Sequence, residues 1–228
     1  MAKIAILQSN YIPWKGYFDI IRRADVFVIY DEVQYTKNDW RNRNQIKTLQ
    51  GPMWLTIPVY QENLHQKICD THVAQPSWNI KHWNSIQNNY SKALCFKEYE
   101  ADLKSLYLNI ASKSLSEINI TFIRKINEFL GIKTEIIDSR VLTLHGDKNQ
   151  RLIQALKQLN GTTYLSGPSA KSYLDEESFC KESITIEWMD YSNYPEYPQQ
   201  FPPFVHNVSV LDLILNMGTK ATQFLKHA

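Results

Sequence analysis

Two spacings of apolar residues alternate along the chain, and each change of spacing marks a new element. Residues 3–8, KIAILQ, are a short apolar run closed by a polar side chain, as in a strand buried on both faces of a parallel sheet. Over 15–23, Tyr17, Phe18, Ile20 and Ile21 recur at helical spacing, with Pro13 just upstream as a first-turn residue. DVFVIYD, 25–31, is a second strand that ends in Asp31 and Glu32. Strand, helix and strand within about thirty residues form a βαβ unit.

VQYTKNDWRNRNQIKT, 33–48, keeps neither spacing and reads as an exposed loop or irregular hairpin. PMWLTIPVY, 52–60, is a strand, and Pro58 near its end places it at an edge. From 78 to 130 the pattern is helical, with Gly131 as a C-terminal cap. KTEIIDSRVL gives another strand, and Asp147 caps the helix KNQRLIQALKQL, which closes at Asn160-Gly161. TTYLSG and ITIEWMDY are two further strands. The proline-aromatic stretch YPEYPQQFPPF is irregular, and SVLDLILNMG is a helix capped by Ser209 and stopped near Gly218.

Strands alternating with helices predict an α/β fold, Rossmann-like, with a largely parallel sheet. We expect a single domain over 1–228, with a helical insertion around 78–130 as a subdomain. A length of 228 residues is enough to bury a sizeable core. A net charge of +2 argues against a globally basic nucleic-acid binder but leaves local patches open. Cys69, Cys95 and Cys180 stand far apart, in neither zinc-site nor disulfide spacing. The opening MAKIAILQSNY reads as neither signal peptide nor anchor, and no apolar stretch approaches the ~18 residues of a membrane span. The expectation is a cytoplasmic protein without membrane insertion.

In open parallel sheets, ligands bind beyond the carboxyl ends of the strands. Gln8, Asn10, Tyr11 and Trp14 follow the first strand there, with Tyr17 in the helix, and Asp31, Glu32 and Gln34 follow the second. The basic stretch that comes next holds Lys37, Arg41, Arg43 and Lys47 against Asp39 alone, interleaved with Trp40, Asn42 and Asn44. Arginine meets phosphate bidentately and lysine as a point charge, so a diphosphate is the preferred ligand. A solvated loop and a single-stranded nucleic-acid site are the alternatives. His65 is the best placed of the six histidines for proton transfer, and their spacing gives no metal site. Ser166, Gly167 and Ser169 follow a strand and could form a nest of backbone amides.

The first unit also resembles the opening of the nucleotidylyltransferase superfamily, where a (T/H)xGH motif starts the first helix. Trp14-Lys15-Gly16-Tyr17 occupies that place. Aromatics fill both histidine positions, so the fold and nucleotide binding carry over but nucleotidyl transfer does not.

LQSNYIPWKGYF, ADVFVIYDEVQYTKNDWRNRNQIKT, WLTIPV, YLSGPSAKSYL and SVLDLILNMG together resemble the WbqC-like family of bacterial surface-polysaccharide gene clusters. This chain has Gln8-Ser9 where the family usually has Gln-Pro. The resemblance implies a cytoplasmic enzyme of O-antigen precursor synthesis that acylates the amine of a nucleotide-linked amino sugar with glycine or another small acyl group. The donor, an acyl-CoA or an aminoacyl-tRNA, is not written in the motifs, and no tightly bound cofactor is expected. Such a reaction needs a diphosphate clamp (Arg41, Arg43, Lys47), a general base (Asp31 or His65) and donors for the oxyanion (Gln8, Asn42 or Tyr11). An ATP-dependent amide ligase and a non-catalytic module binding nucleotide sugars or tRNA are the competing readings.

Overall fold

The computed structural model describes residues 2–226. Five parallel strands form the main sheet: β1 (Ala2–Leu7), β2 (Val26–Ile29), β5 (Glu135–Asp138), β6 (Gly161–Ser166) and β7 (Thr185–Trp188), in the order β5-β2-β1-β6-β7. β1 pairs with β2 through Ile4 opposite Val26 and Leu7 opposite Ile29. On its other edge it pairs with β6 through Ile4 opposite Tyr164. The chain therefore builds outward from β1 to β2 and β5, then returns across β1 to add β6 and β7. That reversal puts a topological switch point between β1 and β6, where a crevice opens beyond the carboxyl ends of the strands. This is the Rossmann-like parallel sheet expected from the alternating pattern.

Alternate residues of the strands feed two separate layers, as the two-residue strand period requires. Ile4, Ile6, Val28 and Tyr164 pack with Leu152, Ala155 and Leu156 of α5 (Lys148–Gln158) and Phe179 of α6 (Glu176–Lys181). On the opposite face Ala5, Phe27, Ile29 and Leu165 meet Phe18, Ile20 and Ile21 of α1 (Lys15–Arg23). The same apolar cluster runs on without a break into α2 (Trp78–Tyr90), α3 (Phe96–Leu108), α4 (Leu115–Phe129) and α7 (Val210–Met217). Burying side chains of this size contributes about 1.5–3 kcal/mol each, so the helices and the sheet support one another.

Helix ends follow the capping chemistry read from the sequence. Asp147 and Gln150 form a reciprocal capping box at the start of α5, and Ser209 accepts the Leu211 N–H at the start of α7. Gly131 follows α4 at φ 64°, a left-handed conformation that glycine adopts without steric cost.

Three local expectations change. Residues 43–48 form β3 (Arg43–Thr48), an antiparallel hairpin with β4 (Gly51–Thr56) in a second, two-stranded sheet. The strand escapes sequence reading because Asn44, Lys47 and Thr48 are buried beside Ile46, its one aliphatic residue. Pro13 precedes the N-cap residue Trp14 and lies outside the first helical turn. The helical segment expected after Ser169 divides into a 3-10 turn, Pro168–Ser172, which includes Ser169 itself, and the short α6, begun by an Asp175 cap. Among the described residues, no helix is long and apolar enough to cross a membrane.

Candidate functional site

β1 ends at Leu7, so Gln8 emerges at the carboxyl edge beside the switch point. A cavity of about 510 Å³ opens there. Ile6, Tyr30 and Tyr164 supply its sheet wall, and Leu152 comes from α5. Its charged lining residues are Arg41, Lys148 and Arg151, and no carboxylate lines it among the described residues.

Each cation is held in place. The Arg41 guanidinium donates to Gln8 Oε1 at 3.2 Å and to Asn10 Oδ1, with Asp39 3.7 Å away. Arg151 Nε donates to the Gly146 carbonyl at 2.9 Å. Lys148 Nζ lies 2.9 Å from the centre of the Tyr173 ring. Burial lowers the Lys148 pKa, because the ammonium gives up water on entering the cavity wall. Lys148 and Arg151 belong to the first turn or so of α5, where the helix dipole opposes a cation and favours an anion. An anion in the cavity would neutralise the cations and meet the positive end of the helix at once.

Of the residues singled out in the sequence, Gln8, Gln34 and Arg41 line this cavity. The Gln34 amide donates to the Leu64 carbonyl at 2.5 Å. The Tyr17 hydroxyl donates to the Gln8 carbonyl at 2.9 Å, so it positions the turn from within. Asn10 and Trp14 line a neighbouring cavity of about 270 Å³ together with Trp40. Ser166 is buried at the end of β6, and its carbonyl accepts the Met189 N–H at 2.8 Å.

Others lie elsewhere. Asp31 is 2 % exposed and does not line the cavity. It accepts the Ser9 N–H at 2.7 Å and the Ser116 hydroxyl at 2.5 Å. Burial raises its pKa, while those hydrogen bonds act in the opposite sense. Its oxygens are committed to fastening the Gln8–Asn10 turn to α4, which removes it from the reach a general base needs. His65 is exposed on its loop, with its N–H bonded to Asn63, and does not line the cavity either. The Tyr11 hydroxyl is fully buried between His82 Nδ1 and the Tyr107 hydroxyl, each 2.8 Å away.

The basic stretch divides for a simple reason: part of it is a strand. Arg43 lies over the Trp54 ring, 4.2 Å from its centre, and donates to the Asn38 carbonyl. Lys47 is buried and donates to the Pro203 carbonyl. The Asn42 amide donates to the Ile57 carbonyl at 2.8 Å. Only Arg41, before β3 begins, reaches the cavity.

Lys148, Arg151, Tyr173, Thr36 and Tyr30 also line the cavity and were not expected. One signal was available for two of them. KNQR opens a helix with two cations and, beyond the Asp147 cap, no acid, against the usual preference of helix N-termini.

An uncharacterized protein of Mycobacterium tuberculosis, Rv1507c, is 44% identical over 228 residues, covering 100% of this chain and 99% of that protein. No solved structure matches the chain. The model of the WbqC-like protein family matches residues 8–224, a span that includes every residue named at the two cavities except Ile6, and the chain belongs to that family.

Proposed function

We propose that the protein is a transferase that holds a nucleotide-linked amino sugar by its diphosphate and acylates the sugar amine, in the synthesis of a surface polysaccharide such as O-antigen. The observation that carries this reading is the cavity at the switch point, whose charged lining residues are three cations. Arg41 and Arg151 can each pair with phosphate oxygens, and Lys148 adds a point charge at the head of α5. Tyr173, 44 % exposed, supplies aromatic surface for the rest of the nucleotide, over a buried floor that includes Tyr30 and Tyr164.

The amine attacks the acyl carbonyl of a thioester or aminoacyl ester. A C–N bond forms, the C–S or C–O bond breaks, and the amine's proton leaves with the departing thiol or hydroxyl. Arg41 engages Gln8 through Oε1, which leaves the Gln8 amide NH₂ to donate to the oxyanion of the tetrahedral intermediate. Among the described residues the cavity lining has neither carboxylate nor imidazole, so positioning and electrostatic stabilisation carry the rate in this reading. A cytoplasmic setting accords with the three free cysteines, Cys69, Cys95 and Cys180.

The test is a mass-spectrometric screen in which nucleotide-linked amino sugars are incubated with acyl-CoA or aminoacyl-tRNA donors. A sugar nucleotide that gains the mass of the acyl group supports the reading. Product that forms only with ATP and a free carboxylic acid selects an amide ligase instead. No acylated product under any condition rejects the transferase.

A further inference from the structure

The neighbouring cavity of about 270 Å³ differs in chemistry from the cationic one. Its lining consists of Pro13, the indoles of Trp14 and Trp40, and the amides of Asn10, Asn44 and Asn207. We propose that it is a subsite for an uncharged pyranose ring. The indole faces suit the C–H faces of a sugar, the exposed Asn207 amide can donate to and accept from its hydroxyls, and the Asn10 NH₂ can donate, while the Asn44 amide is spent on the turn behind them. A sugar amine enters as the free base, the form that attacks, because an ammonium would meet no opposite charge among the lining residues, at a desolvation cost that a neutral ring avoids.

Several contacts hold the aromatic walls ready. The Trp14 indole lies so close over Gly16 that any Cβ at that position would collide with it. Its ring also meets Tyr191 and Tyr194 edge-on, with centroids 5.4 and 5.6 Å away. Trp40 is 42 % exposed and leans on Trp54, with ring centres 5.4 Å apart. The Tyr11 N–H donates to the Trp40 carbonyl at 3.0 Å, tying the two walls together.

Between the walls, the backbone is held in an unfavourable state. Ile12 has φ 37°, a conformation that a β-branched residue rarely adopts. The Asn44 amide donates to the carbonyls of Tyr11 at 3.2 Å and Ile12 at 3.0 Å, which keeps the turn in that shape. Such strain persists only where its surroundings impose it, and here it sets the positions of Asn10 and Trp14.

One hydrogen bond links the linings of the two cavities. Arg41 lines the cationic cavity and donates to Asn10, which lines the neutral one. A diphosphate bound to Arg41 would therefore deliver its sugar toward the indoles. This connection rests on the reading above, whereas sugar binding by the indole cavity does not. A nucleobase is a poorer occupant, because exposed aromatic surface for a base already stands beside the cations, in Tyr173.

The experiment is a titration of the ¹⁵N-labelled full chain, reading the indole N–H resonances, with methyl N-acetylglucosaminide, uridine and inorganic pyrophosphate as separate probes. Trp→Phe variants assign the resonances. The glycoside should shift the Trp14 and Trp40 signals saturably, and Asn207→Ala should weaken its binding about tenfold, the effect of one lost hydrogen bond. Gly16→Ala should weaken it as well, by displacing the Trp14 indole; should that variant not fold, the exposed Asn207 carries the test. Absence of glycoside-induced shifts at Trp14 and Trp40 overturns the proposal, as does a response there to uridine alone. Pyrophosphate that fails to bind counts against the diphosphate reading and leaves the sugar subsite standing.

Discussion

The carboxylate of Asp31 reaches the Ser9 N–H at 2.7 Å from inside the protein, not from the cavity side. With the Ser116 hydroxyl on its other oxygen, it works as a fastener for the turn that carries Gln8 and Asn10. Asp31→Asn should therefore fold and keep turnover within a few-fold of the parent, because the amide can accept from Ser9 and donate to a rotated Ser116 hydroxyl. Asp31→Ala leaves two buried donors without partners and should cost about 2–5 kcal/mol, measured by urea unfolding. A loss of turnover in Asp31→Asn by about 10²–10⁴ without loss of stability would restore Asp31 as a general base.

The same carboxylate makes a prediction about pH. Burial raises its pKa in the folded state, so the folded protein holds this proton more tightly than the unfolded chain does. Relative to Asp31→Asn, the parent should lose stability as pH rises from the unfolded carboxylate value of about 3.9 through the raised folded value. Unfolding midpoints of both proteins, compared across that window, check the sign.

His82 behaves in the opposite sense. Burial between Tyr11 and the Thr56 carbonyl lowers its pKa to about 4. The unfolded chain takes up this proton near pH 6.5, before the folded protein does, so stability due to His82 is present above 6.5 and is lost as pH falls toward 4. The shift corresponds to a loss of about 3 kcal/mol. Subtracting the pH profile of His82→Gln from that of the parent isolates the effect; a flat difference would contradict it.

Within the basic stretch the structure separates one cavity-lining cation, Arg41, from Arg43 and Lys47. Arg41→Ala should weaken pyrophosphate binding by about 1.5–3 kcal/mol, the range for a charge-assisted hydrogen bond. Arg43→Ala, which removes a guanidinium stacked on Trp54 outside the cavity, should leave the affinity unchanged. Calorimetry on the two variants gives the comparison, and equal losses would mean that the stretch acts as a diffuse basic patch.

The main sheet was legible because its strands, such as IAIL and VFVI, are continuous apolar runs separated by capped helices with wide apolar faces. β3 was not, since a strand that buries asparagine, lysine and threonine has no alternation for a sequence to display. Gln8, Gln34 and Arg41 could be found from their place after the first two strands and from charge. Lys148 and Arg151 lie more than a hundred residues downstream and come to the cavity through the β1–β6 pairing, a long-range relationship. Asp31 illustrates the converse: sequence read it as the last residue of the second strand, and it lies two residues beyond the end of β2, but which way its carboxylate turned depended on Ser116, in a helix contributed much later.

The central claim is that the cavity at the switch point holds the diphosphate of a nucleotide-linked sugar. Calorimetric titration of a nucleoside diphosphate amino sugar into the parent protein and into Lys148→Ala/Arg151→Ala tests it most directly. Both positions lie at the start of an exposed, capped helix face, and the double variant should fold normally while its affinity falls by at least about a hundredfold, the sum of two charge-assisted contacts. Equal affinity in the two proteins, or no binding to the parent, would contradict it.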